Sequence, residues 1–73
     1  GFEFIRANAS GCVWNINTSE GESVSPDHPL IILEAMKTEI NIYTPVNGVV
    51  SEVRVKKGQL VNQGDILFNI KVS

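Results

Sequence analysis

The sequence predicts an all-β domain assembled from two copies of one unit, and three observations support this. First, an offset of 37 positions superposes Gly11 on Gly48, Val13 on Val50, Gly21 on Gly58, Val24 on Val61 and Leu30 on Leu67 without a gap. Ile16 then falls on Val53, Ile31 on Phe68 and Leu33 on Ile70, so the apolar pattern repeats along with the identities. Second, short runs of alternating or β-branched residues recur along the chain, as a pleated surface prefers. Third, turn-forming clusters separate those runs: Ser19-Glu20-Gly21, Pro26-Asp27-His28-Pro29, Asn47-Gly48, Lys57-Gly58 and Gly64-Asp65.

Taken in order, Phe2–Arg6 alternates its aromatic rings, and Cys12–Ile16 carries apolar groups on both faces. Glu39–Tyr43 alternates with Ile40 and Ile42 on one side, while Val49–Val55 and Ile66–Val72 are rich in β-branched residues. Between them, Leu30, Leu33, Met36 (or Lys37) and Ile40 fall at helical spacing, in a stretch of good helix formers. Local pattern alone leaves helix and hairpin both open there. The repeat decides for the hairpin, because Leu30–Leu33 is the copy of Leu67–Ile70, which follows a glycine turn and alternates as a strand. Leu30–Ala35 and Thr38–Tyr43 are therefore read as paired strands with Met36-Lys37 as a two-residue tip. Such a tip ordinarily takes Asn-Gly or a similar pair that tolerates positive φ, so a non-glycine pair there carries strain. If a pseudo-twofold axis relates the copies, the tip and the C-terminus at Ser73 lie at opposite ends of one domain, residues 1–73, with repeat halves at about 8–36 and 45–73.

Composition excludes several classes of function. At 73 residues the chain holds one small core, and an apolar share of 42% argues against disorder. A net charge of −2, without a basic stripe interleaved with aromatics, gives no electrostatic grip on nucleic acid. Cys12 is the single cysteine, so no intramolecular disulfide can form. The longest apolar run, Leu30 to Leu33, is too short to cross a bilayer, and no charged-then-apolar leader precedes it. A start at Gly1 is what a processed product or an excised domain of a larger protein would show. No Ser/His/Asp, paired-acid or metal-ligand constellation is visible, so the chain is not expected to be an enzyme by itself.

One lysine stands between the two copies. An exposed lysine is almost fully protonated at neutral pH and serves poorly as a base or nucleophile of its own. Lys37 is better suited to accept an acyl group, since an amide there removes the charge and places a cofactor on a long flexible arm.

Glu34-Ala35-Met36-Lys37 resembles the attachment motif of the biotinyl (biotin carboxyl carrier) domains of biotin-dependent carboxylases, within the biotin/lipoyl attachment family. The resemblance covers nearly the whole chain. It includes Gly21, the strand Leu30–Leu33, Pro45-Val46-Asn47-Gly48 and the closing Gly58…Gly64-Asp65-Ile66-Leu67. It implies a flattened barrel of two four-stranded antiparallel sheets, with biotin attached covalently to Lys37 at an exposed hairpin. It further implies that a biotin protein ligase modifies Lys37, reading Met36, Ala35 and Glu34 around it, with Glu39 also in reach. The domain would then swing between the biotin carboxylase and carboxyltransferase sites of an ATP-dependent parent enzyme, carrying a carboxyl group. Such a parent points to the cytoplasm, with the mitochondrial matrix as the alternative, and to no membrane partner.

Two positions depart from the common pattern: Thr38 stands where many relatives have a second methionine, and Asn8 where a proline often precedes the first glycine. The gapless repeat leaves no room for the extra thumb segment of some bacterial carriers. Val13-Trp14 after Gly11, with Ala35 to Glu39, looks most like urea carboxylase or urea amidolyase. Two other readings compete. A lipoyl carrier domain of a 2-oxoacid dehydrogenase-type complex shares the duplicated fold, but more commonly has Asp where Met36 stands. An unmodified β-sandwich interaction module would have no use for a lysine at so tight a turn. Cys12, aligned with Val49, is expected as a small core residue; Trp14, aligned with Ser51, as ordinary packing; His28 as an exposed loop residue; and the glycines as turn residues.

Overall fold

The computed structural model describes all 73 residues and contains strands only. In chain order they are β1 (Phe2–Arg6), β2 (Gly11–Ile16), β3 (Ser23–Val24), β4 (Pro29–Ala35), β5 (Thr38–Tyr43), β6 (Gly48–Val53), β7 (Leu60–Val61) and β8 (Ile66–Val72). They form two four-stranded antiparallel sheets, ordered β1-β8-β6-β3 and β5-β4-β2-β7. The 37-residue offset carries each strand of one sheet onto its counterpart in the other: β1 onto β5, β8 onto β4, β6 onto β2 and β3 onto β7. Each sheet thus draws strands from both copies of the repeat.

The correspondence extends to irregularities. β2 slips register between Val13 and Asn15 against β4, and β6 slips between the matching Val50 and Glu52 against β8. Gly21 and Gly58 both adopt φ near 90°, a conformation that costs glycine little. Each donates its N–H across to the other copy, Gly21 to Val50 O and Gly58 to Val13 O, at 2.8 Å in both cases. The turn of each half is thereby fastened to a strand of the other half.

The core lies between the sheets. Val13, Leu30, Ile31, Leu33 and Ile42 face Ile5, Val50, Leu67, Phe68 and Ile70, all buried, with Phe68 the largest side chain fully enclosed. Both Leu30 and Ile31, and both Leu67 and Phe68, are buried, which ordinary alternation would not allow. At β4 the ladder with β5 shifts between Pro29 and Ile31, so two consecutive side chains turn inward there. Thr44 is the buried polar side chain; its hydroxyl donates to Val46 O at 2.8 Å and accepts from Val46 N at 3.2 Å.

Two sequence expectations need correction, the end of the sixth strand and the role of Gly11 and Gly48, and other features lay outside them. β3 and β7 span two residues each, too short for periodicity to register. β6 ends at Val53 and does not reach Val55: Arg54 N–H still bonds Leu67 O at 2.9 Å, and the chain then leaves β8 and crosses to β2, where Gly58 N–H bonds Val13 O at 2.8 Å. Gly11 and Gly48 are not turn residues but the first residues of β2 and β6. Phe2 and Phe4 lie on the outer surface, while Ile5 supplies the core contact of β1.

Candidate functional site

β4 and β5 form a hairpin that ends in the pair Ala35↔Thr38, leaving Met36 and Lys37 as a two-residue turn, as the repeat requires. Both turn residues have positive φ, 50° at Met36 and 66° at Lys37, and they are the only non-glycine residues in that region. This is the backbone of the tight hairpin turn that matches strand twist, here built without glycine or asparagine. Met36 is 98% exposed, so nothing in the domain holds its thioether. Lys37 is exposed and takes part in none of the hydrogen bonds; the one ion pair of the chain joins Arg54 and Glu52 at 3.6 Å. The ε-amine is therefore unencumbered at the apex of a turn whose backbone is fixed by the strands beneath it.

The residues around it follow from register. Glu34 lies directly opposite Glu39 across the hairpin, and Cys12 lies opposite Glu34 on the other side of β4. Leu60 pairs with Cys12 in turn. The outer face of this sheet next to the tip thus reads Glu39, Glu34, Cys12, Leu60 from one edge to the other. Glu34 and Glu39 are exposed like charges set face to face, an arrangement that costs a little stability. Ala35, half-buried, closes the hairpin beneath Met36. Cys12 is half-exposed in this row rather than in the core, and Trp14, at the bulge of β2, is 50% exposed rather than packed away. His28 is exposed as expected. Leu60, 79% exposed, was not singled out by sequence. The repeat held the signal: Leu60 aligns with Ser23, and a position that accepts serine in one copy faces solvent in both.

The tip stands far from the chain ends. Gly11, packed beside Glu34 and Ala35, pairs with Val61, and the following turn Asn62–Asp65 is tied back to Ala7 and Ser10. β8 therefore starts near the Lys37 end and runs about 20 Å at the usual strand rise before it ends at Val72. There the Val72 N–H meets Gly1 O at 3.0 Å, so both termini leave side by side. The molecule is elongated, 35 × 19 × 17 Å, and the lysine and the termini occupy its two poles. No group of three or more His, Cys, Asp or Glu residues is placed to bind a metal ion.

Two matched four-stranded sheets with an exposed lysine at the apex of the hairpin that joins their halves have the form of a biotin/lipoyl-type domain. Residues 3–70 match the family described as biotin-requiring enzyme, and the chain belongs to this biotin/lipoyl attachment family as a biotinyl domain of the biotin carboxyl carrier kind. It is 40% identical over 67 residues to pyruvate carboxylase of Staphylococcus aureus, covering 92% of this chain and 6% of that protein. A single-chain, multi-domain long-chain acyl-CoA carboxylase superposes with a TM-score of 0.93 at 30% identity, over all of this chain and 7% of the other. The urea carboxylase of Kluyveromyces lactis does so with a TM-score of 0.90, also at 30% identity, over 97% of this chain and 6% of the other. The chain thus spans a small fraction of each of these relatives.

Proposed function

We propose that the chain is a carrier on which biotin is joined to Lys37 and moved between two active sites of a larger carboxylase. The observation that carries this reading is the bare ε-amine at the apex of the Met36-Lys37 turn, at the pole opposite the termini. The residues fit the group. Lys37 supplies a primary amine with no competing partner, able to form an amide with the carboxyl of biotin as a biotin protein ligase delivers it in activated form. Bound biotin would supply a ureido ring able to take up and release a carboxyl group. The domain's own residues would present it: the positive-φ turn points the lysine away from the sheets, and β4 and β5 keep its base rigid.

In this reading Met36, Ala35 and Glu34 form the surface the ligase recognises. Met36 offers an apolar handle free of the domain, Ala35 keeps the approach to Lys37 low, and Glu34, with Glu39 opposite, offers negative charge. The working unit is the whole of residues 1–73, with halves at 8–36 and 45–73. The carboxylase and carboxyltransferase sites belong to the parent protein. The likeness to the Kluyveromyces lactis urea carboxylase and the Val13-Trp14 sequence support a parent of that type; its compartment, in this reading, is the cytoplasm, with the mitochondrial matrix as the alternative.

The test is the intact mass of the chain purified from cells with an active biotin ligase, beside the Lys37→Arg variant. A single biotinyl increment in the wild type, absent from the variant at unchanged melting temperature, is the expected result. A lipoyl increment would transfer the domain to the lipoyl carriers. An unmodified wild type, from cells in which biotin and lipoyl ligases are both active on control substrates, would refute both.

A further inference from the structure

We propose that Gly11 is a positioning residue for the attachment turn, a role that rests on the carrier reading above. A Cβ built on Gly11 would lie 2.6 Å from Glu34 O, 3.2 Å from Glu34 C and 3.3 Å from the Ala35 Cβ. The first of these distances is closer than carbon and carbonyl oxygen can approach, and its partner is backbone, so something must move. β2 cannot readily do so: Gly11 pairs with Val61 on its other side, Val13 is buried in the core, and Val13 exchanges hydrogen bonds of 2.8 Å with Gln59 and Gly58. The end of β4 can. Beyond it lies only β5, an edge strand, and the exposed turn itself. A side chain at position 11 therefore displaces the Glu34-Ala35 segment outward, and the displacement is passed to Met36 and Lys37, one and two residues on. Absence of a side chain at Gly11 sets where the backbone of Lys37, the base of its arm, stands relative to Glu34, Cys12 and the rest of the outer face.

The repeat supplies the control. Gly48 is the counterpart of Gly11, and a Cβ there would meet Lys71 O and the Ile70 Cγ2 more tightly still. Lys71 is the counterpart of Glu34, but at that pole the chain ends and no lysine turn follows. Gly48→Ala should disturb packing at least as much as Gly11→Ala without moving Lys37.

The experiment compares wild type, Gly11→Ala and Gly48→Ala, each in the cold, with rates of ligase-catalysed biotinylation normalised to the folded fraction from circular dichroism. Gly11→Ala should lose about tenfold or more in rate, since a misplacement on the order of 1 Å can cost that much or more; Gly48→Ala should stay within about twofold of wild type. Two further readings identify positioning. Amide chemical shifts of Ala35 to Thr38 should move in Gly11→Ala and not in Gly48→Ala. Acylation of Lys37 by a small succinimidyl ester, followed by peptide mapping, should proceed equally in all three, because exposure of the amine is unchanged. A folded Gly11→Ala chain biotinylated at the wild-type rate would overturn the proposal. So would equal losses in both variants, or a Gly11→Ala chain that does not fold at all, since the hairpin should yield at its free edge. A wild type that takes no biotin would instead refute the carrier reading, leaving the turn shifts to report on Gly11.

Discussion

The Met36-Lys37 turn stores strain that can be measured by removing it. Met36 and Lys37 occupy the left-handed region at φ 50° and 66°, where a residue with a Cβ pays about 1–2 kcal/mol. Replacing the pair with Asn-Gly, which favours this turn, relieves most of that cost at both positions. Met36 is 98% exposed and Lys37 has no bonded partner, so no packing is lost in exchange. The new glycine adds freedom to the unfolded chain, which takes back about 0.5–1 kcal/mol. The net expectation for Met36→Asn/Lys37→Gly is a stabilisation of about 1–2 kcal/mol, which for a domain of this size raises Tm by roughly 4–8 °C per kcal/mol. Urea and thermal unfolding of the unmodified proteins, followed by circular dichroism, would measure it. Lys37→Ala serves as control, because it removes the side chain but keeps a Cβ at positive φ, and it should gain nothing. If the double variant is no more stable than wild type, the turn is not strained, and a stability cost can no longer be part of the argument for its function.

Two other substitutions probe the structure more narrowly. Thr18 carries a buried hydroxyl without a hydrogen-bond partner, and its counterpart Val55 is a buried core residue. Thr18→Val should therefore stabilise the chain by about 1–2 kcal/mol in urea unfolding, and a loss of stability would show that the hydroxyl is satisfied. Glu39→Lys converts the like-charge pair with Glu34 into an opposite-charge pair, worth about 0.2–1 kcal/mol in low salt, while slowing biotinylation in a ligase time course. Unchanged ligation with the stability gain present would remove the acidic pair from the recognition surface.

Much of this fold was legible because the chain states its pattern twice. β1, β5 and β8 lie where alternation and β-branching place them, and the ambiguous stretch 30–40 became a hairpin only through its copy at 67–70. The tip was readable for the same reason, down to its two residues. What escaped has physical causes. β3 and β7 are too short to show a period, and their places are set by hydrogen bonds from the neighbouring turns. Gly11 and Gly48 look like turn glycines in sequence, but what they provide is room for a neighbouring strand's carbonyl, which no local pattern encodes. Phe2, Phe4 and Trp14 point outward although their chemistry suits a core, since the direction of a strand residue depends on register and on the bulges.

The same duplication separates what the fold needs from what the site needs. Positions that carry the fold match across the copies: Val13 with Val50, Leu30 with Leu67, Gly21 with Gly58, and the bulges that follow Val13 and Val50. The outer rows at the two poles do not. Beside the lysine the row is Glu39, Glu34, Cys12, Leu60; at the terminal pole the corresponding row is Phe2, Lys71, Val49, Ser23. Both rows sit on equivalent strands in equivalent registers, so neither packing nor propensity explains why one carries two unpaired acids and the other an aromatic ring and a lysine. The difference is confined to surfaces that face solvent, at the two poles of the molecule, one bearing the lysine turn and the other the termini. A ligase able to recognise only the turn would be indifferent to it; one that reads Glu34 and Glu39 would tell the two poles apart. On the proposal that a ligase modifies Lys37, the asymmetry of these rows, within a scaffold otherwise faithful to its repeat, supports a recognition surface that includes the outer face of β4 and β5 as well as the turn.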